Sequence, residues 1–252
     1  MPQKQLSKKF LPKFLPKAKL YFLITFIAFS LFLLLLGINS YYQLRIIQIE
    51  GSTPKDHILG LDSFKGTNLY FLSTGSIIDA VNKNNPNILI DEVVKEFPDK
   101  IVLKIKYIEP IAHLKLNVGY AELSDEGKIL KKIKTIETRS KQKDKQLPII
   151  NFYQQFDFSQ IIPGNTLDYE EVVVALFLLK KCNDLDLKIE SIDISGLNMI
   201  VFNLIDKKII FSAEKDKDKL ALELEAIIKQ FKIEAKDFKI LDLRFDKPIV
   251  RF

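Results

Sequence analysis

The chain has 252 residues, with 38 lysines and arginines against 32 aspartates and glutamates, and one cysteine, Cys182. A single thiol excludes an intramolecular disulfide framework and any multi-cysteine metal site. The net charge of +6 resides in residues 1–19, in Lys4, Lys8, Lys9, Lys13, Lys17 and Lys19; the rest is neutral, so the basic balance does not argue for nucleic-acid binding.

That basic tail, 1–19, abuts "LYFLITFIAFSLFLLLLGI", residues 20–38, which carries no charge. As a helix it would extend about 28 Å, close to the roughly 30 Å hydrocarbon core of a bilayer. A cleaved signal peptide would have a shorter apolar region ending in a small-x-small site, and "NSYYQLR" offers no such site. The run therefore reads as a single transmembrane helix. Lysines on its N-terminal side place that end in the cytoplasm and the body of the protein outside it, with Tyr21, Tyr41 and Tyr42 near the two interfaces.

Residues 43–112 read as one small α+β unit. "LRIIQIEG" is a strand, and a short helix is expected near 54–59, with Thr53 as N-cap and Pro54 at the first helical position. Leu69–Leu72 form an apolar anchor in a loop. A second helix spans 74–83, with Ile77, Ile78 and Val81 on one face, and "NNP" stops it. Two strands, "ILIDEVVKEF" and "KIVLKIKYIE", flank a tight turn at Pro98–Asp99. The second sets Ile101, Leu103, Ile105 and Tyr107 against Lys100, Lys104 and Lys106. The order is β-α-α-β-β, helices covering one face of a small mixed sheet.

Residues 113–252 read as a β-rich unit with two helices. "YAELSDEGKIL" is a hairpin turning at Asp125-Glu126-Gly127. Residues 128–145 are lysine-rich and read as a solvated loop, with a patch for anionic wall polymers as the alternative. "LPIINF" is a strand. A helix over 169–182 turns Val172, Val173, Leu176, Leu179 and Cys182 inward, and three strands follow near 188–194, 199–205 and 208–212. "DKDKLALELEAIIKQF" is an amphipathic helix burying Leu220, Leu224, Ile227, Ile228 and Phe231. The closing "KILDLRFDKPIVRF" alternates Ile240, Asp242 and Arg244 with Leu241, Leu243 and Phe245. An Asp-Lys-Pro interruption then leads to Ile249, Val250 and Phe252, a strand fragment with an open edge.

These motifs together resemble the FtsQ/DivIB family of bacterial cell-division proteins. "IIQIEGS", "GTNLYFLS" and "NPNILIDEVVKEFPDKIVLKIKYIEPIAHL" are similar to the opening strand, loop and hairpin of that family's POTRA domain. Glu109 directly precedes Pro110, where the family usually has an intervening Arg. Leu241-Asp242-Leu243-Arg244-Phe245 resembles the family's hydrophobic-Asp-Leu-Arg-aromatic signature after a long helix in its β domain. The resemblance implies a non-enzymatic, single-pass scaffold at the division septum. It would bind FtsB/DivIC-type and FtsL-type partners and regulate septal peptidoglycan synthesis, with no cofactor. It further implies partner binding by strand addition on the last strands, hence Phe245, Lys247, Ile249, Val250 and Phe252 as the contacting stretch. Asp242 and Arg244, sharing a face, either pair with neighbouring strand charges or touch the partner; with Leu243 they form the structural signature.

Catalysis finds little support. His57 and His113 belong to no metal spacing, and Cys182 falls on the apolar face of a helix, as a structural thiol does. No nucleophile elbow, P-loop or dinucleotide fingerprint is present. Two other classes compete with the scaffold: a POTRA-bearing component of protein translocation or envelope assembly, and a membrane-anchored envelope enzyme or sensor. The first would continue into amphipathic barrel spans, which the sequence lacks.

Overall fold

The computed structural model describes residues 15–51, 58–136 and 147–252. It is a mixed α/β structure with one N-terminal apolar helix and a large β-sheet. The helix, α1, runs Leu15–Tyr41. Its segment Tyr21–Tyr41 is long and apolar enough to cross a membrane, and its described side chains are not buried against the rest of the chain.

Three strands form a small sheet in the order β1-β3-β2: β1 (Ile46–Gly51), β2 (Ile88–Glu96) and β3 (Lys100–Tyr107). β3 is central, antiparallel to β2 and parallel to β1, with Ile49 opposite Leu103. The alternation read in the sequence is real: Ile101, Leu103 and Ile105 are buried, and Lys104 on the other face pairs with Glu92 at 2.7 Å. Tyr107, expected among the inward residues, is only half-buried.

α2 (Thr74–Asn84) lays Ile77 and Val81 on this core beside Leu44, Leu61 and Leu69. Asn85 ends it: its side chain donates to the carbonyls of Val81 and Leu59 and accepts from the Leu59 amide. These bonds tie the end of α2 to the backbone at Leu59. The helix expected at 54–59 falls mostly outside the described residues, as do His57, Thr53 and Pro54. Its last two residues, Ile58 and Leu59, are not helical, and a 3₁₀ turn at Asp62–Phe64 follows.

The large sheet has nine strands in the order β12-β11-β10-β9-β8-β7-β4-β5-β6. In chain order they are β4 (Ala112–Lys115), β5 (Tyr120–Leu123), β6 (Ile129–Ile133), β7 (Ile149–Phe152), β8 (Ser191–Ser195), β9 (Met199–Asn203), β10 (Lys208–Ser212), β11 (Ile240–Asp242) and β12 (Ile249–Arg251). The neighbours β4–β7, β7–β8 and β10–β11 are parallel and the rest antiparallel. β4, which contains His113, is not evident in the sequence. The hairpin at 120–130 and the strands at 147–152, 188–194, 199–205 and 208–212 are all found. Of the lysine-rich segment, residues 137–145 lie outside the described residues, as do tail residues 1–14.

α3 (Glu170–Asp184) and α4 (Lys217–Glu234) pack on each other, and α3 against β8. Val172, Leu176, Leu179 and Cys182 of α3 are buried as expected, whereas Val173 is half-buried while Val174, Ala175 and Leu178 are buried. Enclosed on more than one side, α3 does not keep a single apolar stripe. α4 buries Leu220, Leu224 and Ile228, with Ile227 and Phe231 at the margin. Asp216 caps it, accepting from the Lys219 amide at 2.8 Å. Phe202 and Phe211 meet edge to face at 5.1 Å in the centre of the core. Each such fully buried side chain contributes about 1.5–3 kcal/mol relative to exposure.

Candidate partner-binding edge

β10 holds the closing segment in register: Ile209 lies opposite Leu241, and the Leu243 amide donates to the Ile210 carbonyl at 2.8 Å. Leu241 and Leu243 are buried in consequence. β12 then folds back antiparallel on β11, setting Leu241 opposite Val250 and Asp242 opposite Ile249. The outer side of β12 has no strand partner among the described residues. The opposite margin of the sheet differs. At β6, Ile129 donates to the Asn165 carbonyl and accepts from the Gly164 amide, both at 2.8 Å, so a loop occupies the start of that edge. β12 is the more open of the two.

Along this edge Val250 packs partly on the core. Ile249 is 46% and Phe252 65% exposed. Phe252 lies 6.2 Å from the Phe231 ring of α4, and its carbonyl accepts from Lys239 Nζ at 3.3 Å. Lys247 is exposed in the bend between β11 and β12. Pro248, with no N–H, precedes β12 and limits backbone pairing there. Phe245 departs from its expected place. The alternation ends with β11 at Asp242, the chain bends through 244–247, and Phe245 turns outward, 50% exposed, with the Arg244 guanidinium 5.3 Å from its ring.

The two charges of the signature find each other. Arg244 Nε donates to Asp242 Oδ1 at 3.0 Å and Nη2 to Oδ2 at 2.7 Å, a forked pair, and the Arg244 amide also donates to Oδ1 at 3.1 Å. Asp242 is buried, and its hydrogen bonds from Arg244 hold its carboxyl below the usual range despite that burial. Arg244 Nη1 reaches the Met199 sulfur on β9 at 3.5 Å. The pairing is therefore within the signature itself, not with charges of a neighbouring strand as the sequence suggested.

Sequence reasoning missed Lys215. Its Nζ donates to the carbonyls of Leu243 and Phe245, both at 3.0 Å, and pairs with Glu223 of α4 at 3.1 Å. It ties the segment carrying Phe245 to the start of α4. Among so many lysines, no local signal marks it.

The residues weighed for chemistry do not converge. Cys182 is buried, which pushes its thiol up to about 12, far from a reactive thiolate. His113 is buried on β4 beside Tyr120, and burial lowers its pKa. No group of three or more metal-ligating side chains occurs among the described residues.

No protein-family model matches the chain. Over 177 residues, 68% of its length, it is 26% identical to the cell division protein DivIB of Clostridium botulinum. The aligned stretch spans 64% of that relative.

Proposed function

We propose, starting from the membership of the FtsQ/DivIB family that this alignment supports, that the chain is a non-enzymatic membrane scaffold of the bacterial division machinery. In this reading α1 anchors it as a single pass with the lysine-rich tail in the cytoplasm. The unit over 43–112 is a POTRA domain, and 113–252 is a β domain of the FtsQ/DivIB type. Both stand outside the cytoplasm at the septum. The partners are small single-pass proteins of the FtsB/DivIC and FtsL type, and their capture regulates septal peptidoglycan synthesis.

The observation that carries this reading is the outer side of β12, which has no strand partner among the described residues, with Ile249 exposed on that strand and Phe252 exposed just after it. An extended partner segment added there would gain main-chain hydrogen bonds, with alternate side chains supplying specificity. Lys247 and Val250 complete the contacting stretch. Anchoring both proteins in one membrane raises their effective concentration, so a modest interface suffices.

The test is recovery of partners from native membranes by the full chain and by an Ile249→Asp, Phe252→Ser variant. Both positions are substantially exposed, so the fold should survive, as circular dichroism would verify. Recovery of a pair of single-pass coiled-coil proteins by the parent and not by the variant is expected. Equal recovery by both would move the interface off β12. Recovery by neither would overturn the scaffold reading.

A further inference from the structure

Three segments distant in sequence gather at the end of the small sheet from which α1 emerges. The amides of Arg45 and Ile46 both donate to the Asp99 carbonyl, at 2.9 and 3.1 Å, so the β2–β3 turn lies beside the chain leaving the helix. The loop over 66–72 is held there too: the Leu44 amide donates to Thr67 at 2.8 Å, Gly66 to Leu44 at 2.9 Å, and Leu69 to Tyr42 at 2.7 Å. Asn68 joins this loop to the helix itself. Its Nδ2 donates to Asn39 Oδ1 at 2.8 Å, while its own Oδ1 accepts from the Tyr70 amide at 2.9 Å. The loop is thus tied directly to the last turn of α1.

What these segments expose is aromatic. Tyr41 is 60%, Tyr70 69%, Phe71 83% and Phe97 53% exposed. Their rings form one run, Tyr41–Tyr42–Phe97–Tyr70–Phe71, with successive centroids 5.2, 6.0, 6.1 and 5.6 Å apart. Clustered exposure of large apolar rings marks an interaction surface, whereas singly scattered ones need no explanation. Lys100 pairs with Glu96 at 2.8 Å, and the Arg45 guanidinium reaches back to the Ser40 carbonyl at 3.5 Å. Aromatic rings without net charge, at the level where an apolar helix ends, match the headgroup boundary of a bilayer.

We propose that this aromatic end is a second membrane contact, resting on the reading of α1 as a spanning helix. Tyr70, Phe71 and Phe97 sit in the interfacial layer at the Tyr41 end of α1 and hold the small sheet against the bilayer. The occupant of the patch is lipid of any headgroup charge.

The chain contains no tryptophan, so single reporters can be placed without background. Full-length Phe71→Trp, Phe32→Trp and Leu197→Trp chains are reconstituted in phosphatidylcholine vesicles. The vesicles carry a spin label either near the headgroup or near the acyl end. Phe71 and Leu197 are 83% and 87% exposed, so neither substitution disturbs packing. Tyr70→Trp serves as a second reporter in the loop. The expected result is loss of Phe71→Trp and Tyr70→Trp emission to the shallow label, loss of Phe32→Trp emission to the deep label, and unchanged Leu197→Trp emission. Quenching at Phe32 without quenching at the loop overturns the second contact and leaves the patch to a protein partner. No quenching at Phe32 overturns the spanning helix and the contact with it. Equal quenching at Leu197 and the loop overturns the assignment, because the signal would not be confined to the α1 end.

Discussion

Lys215 donates from Nζ to the Phe245 carbonyl at 3.0 Å, across 30 residues of sequence. The same ammonium serves the Leu243 carbonyl and Glu223, with the lysine side chain only 15% exposed. Replacing it with methionine keeps the stem and leaves two carbonyls and a carboxylate without their donor. Lys215→Met should destabilise the chain by about 1–3 kcal/mol. Urea unfolding would read this as a lower midpoint at unchanged slope, and an unchanged midpoint would deny the clamp.

The Asp242–Arg244 pair makes stability depend on pH. The folded-state pKa of Asp242 lies below its usual value because Arg244 hydrogen-bonds the carboxylate. The stabilisation is therefore present above the usual carboxylate range and is lost as pH falls through the lowered value. Asp242→Asn should cost about 1 kcal/mol at neutral pH, discounted for the partial exposure of Arg244. The difference in Tm between parent and variant should shrink in acid. Comparing the two chains is necessary because Asp157, Glu225, Glu234 and Asp237 are also held below their usual range and act equally in both.

Gly51 ends β1 at φ +111°, and a Cβ built there would overlap the Ile105 carbonyl oxygen of β3. Both the backbone angle and the contact oppose a side chain. Gly51→Ala should lower stability by about 1–3 kcal/mol. Hydrogen exchange would check it, through faster exchange of the β3 amides near Ile105.

Cys182 offers a test of the α3 core. With its thiol pushed up to about 12 by burial, the folded chain at pH 8 should resist a soluble maleimide and react only after denaturant is added. Prompt labelling of the native chain would show that α3 opens locally.

Local patterning was enough to identify α1, the β2–β3 hairpin and α4, whereas of "LDLRF" only Leu241 and Asp242 stand in a strand. Each is written in neighbouring residues: an uncharged run, a two-residue alternation, a 3.6-residue stripe. Four-residue β4, "AHLK", is too short to carry such a period. The alternation set Phe245 on the face of Leu241 and Leu243, whereas the bend begins at Arg244, ahead of the Asp-Lys-Pro interruption.

Composition and residue spacing determined an apolar helix of spanning length and the inward residues of most elements. Only the tertiary structure decided which strands are neighbours, since parallel pairs such as β4–β7 and β10–β11 join segments that no turn connects. It likewise decided that Asp242 finds Arg244, that Lys215 holds the segment of Phe245, and that Asn68 meets Asn39. Side chains of one type look alike in sequence. What distinguishes them is the group that long-range pairing brings within hydrogen-bond reach.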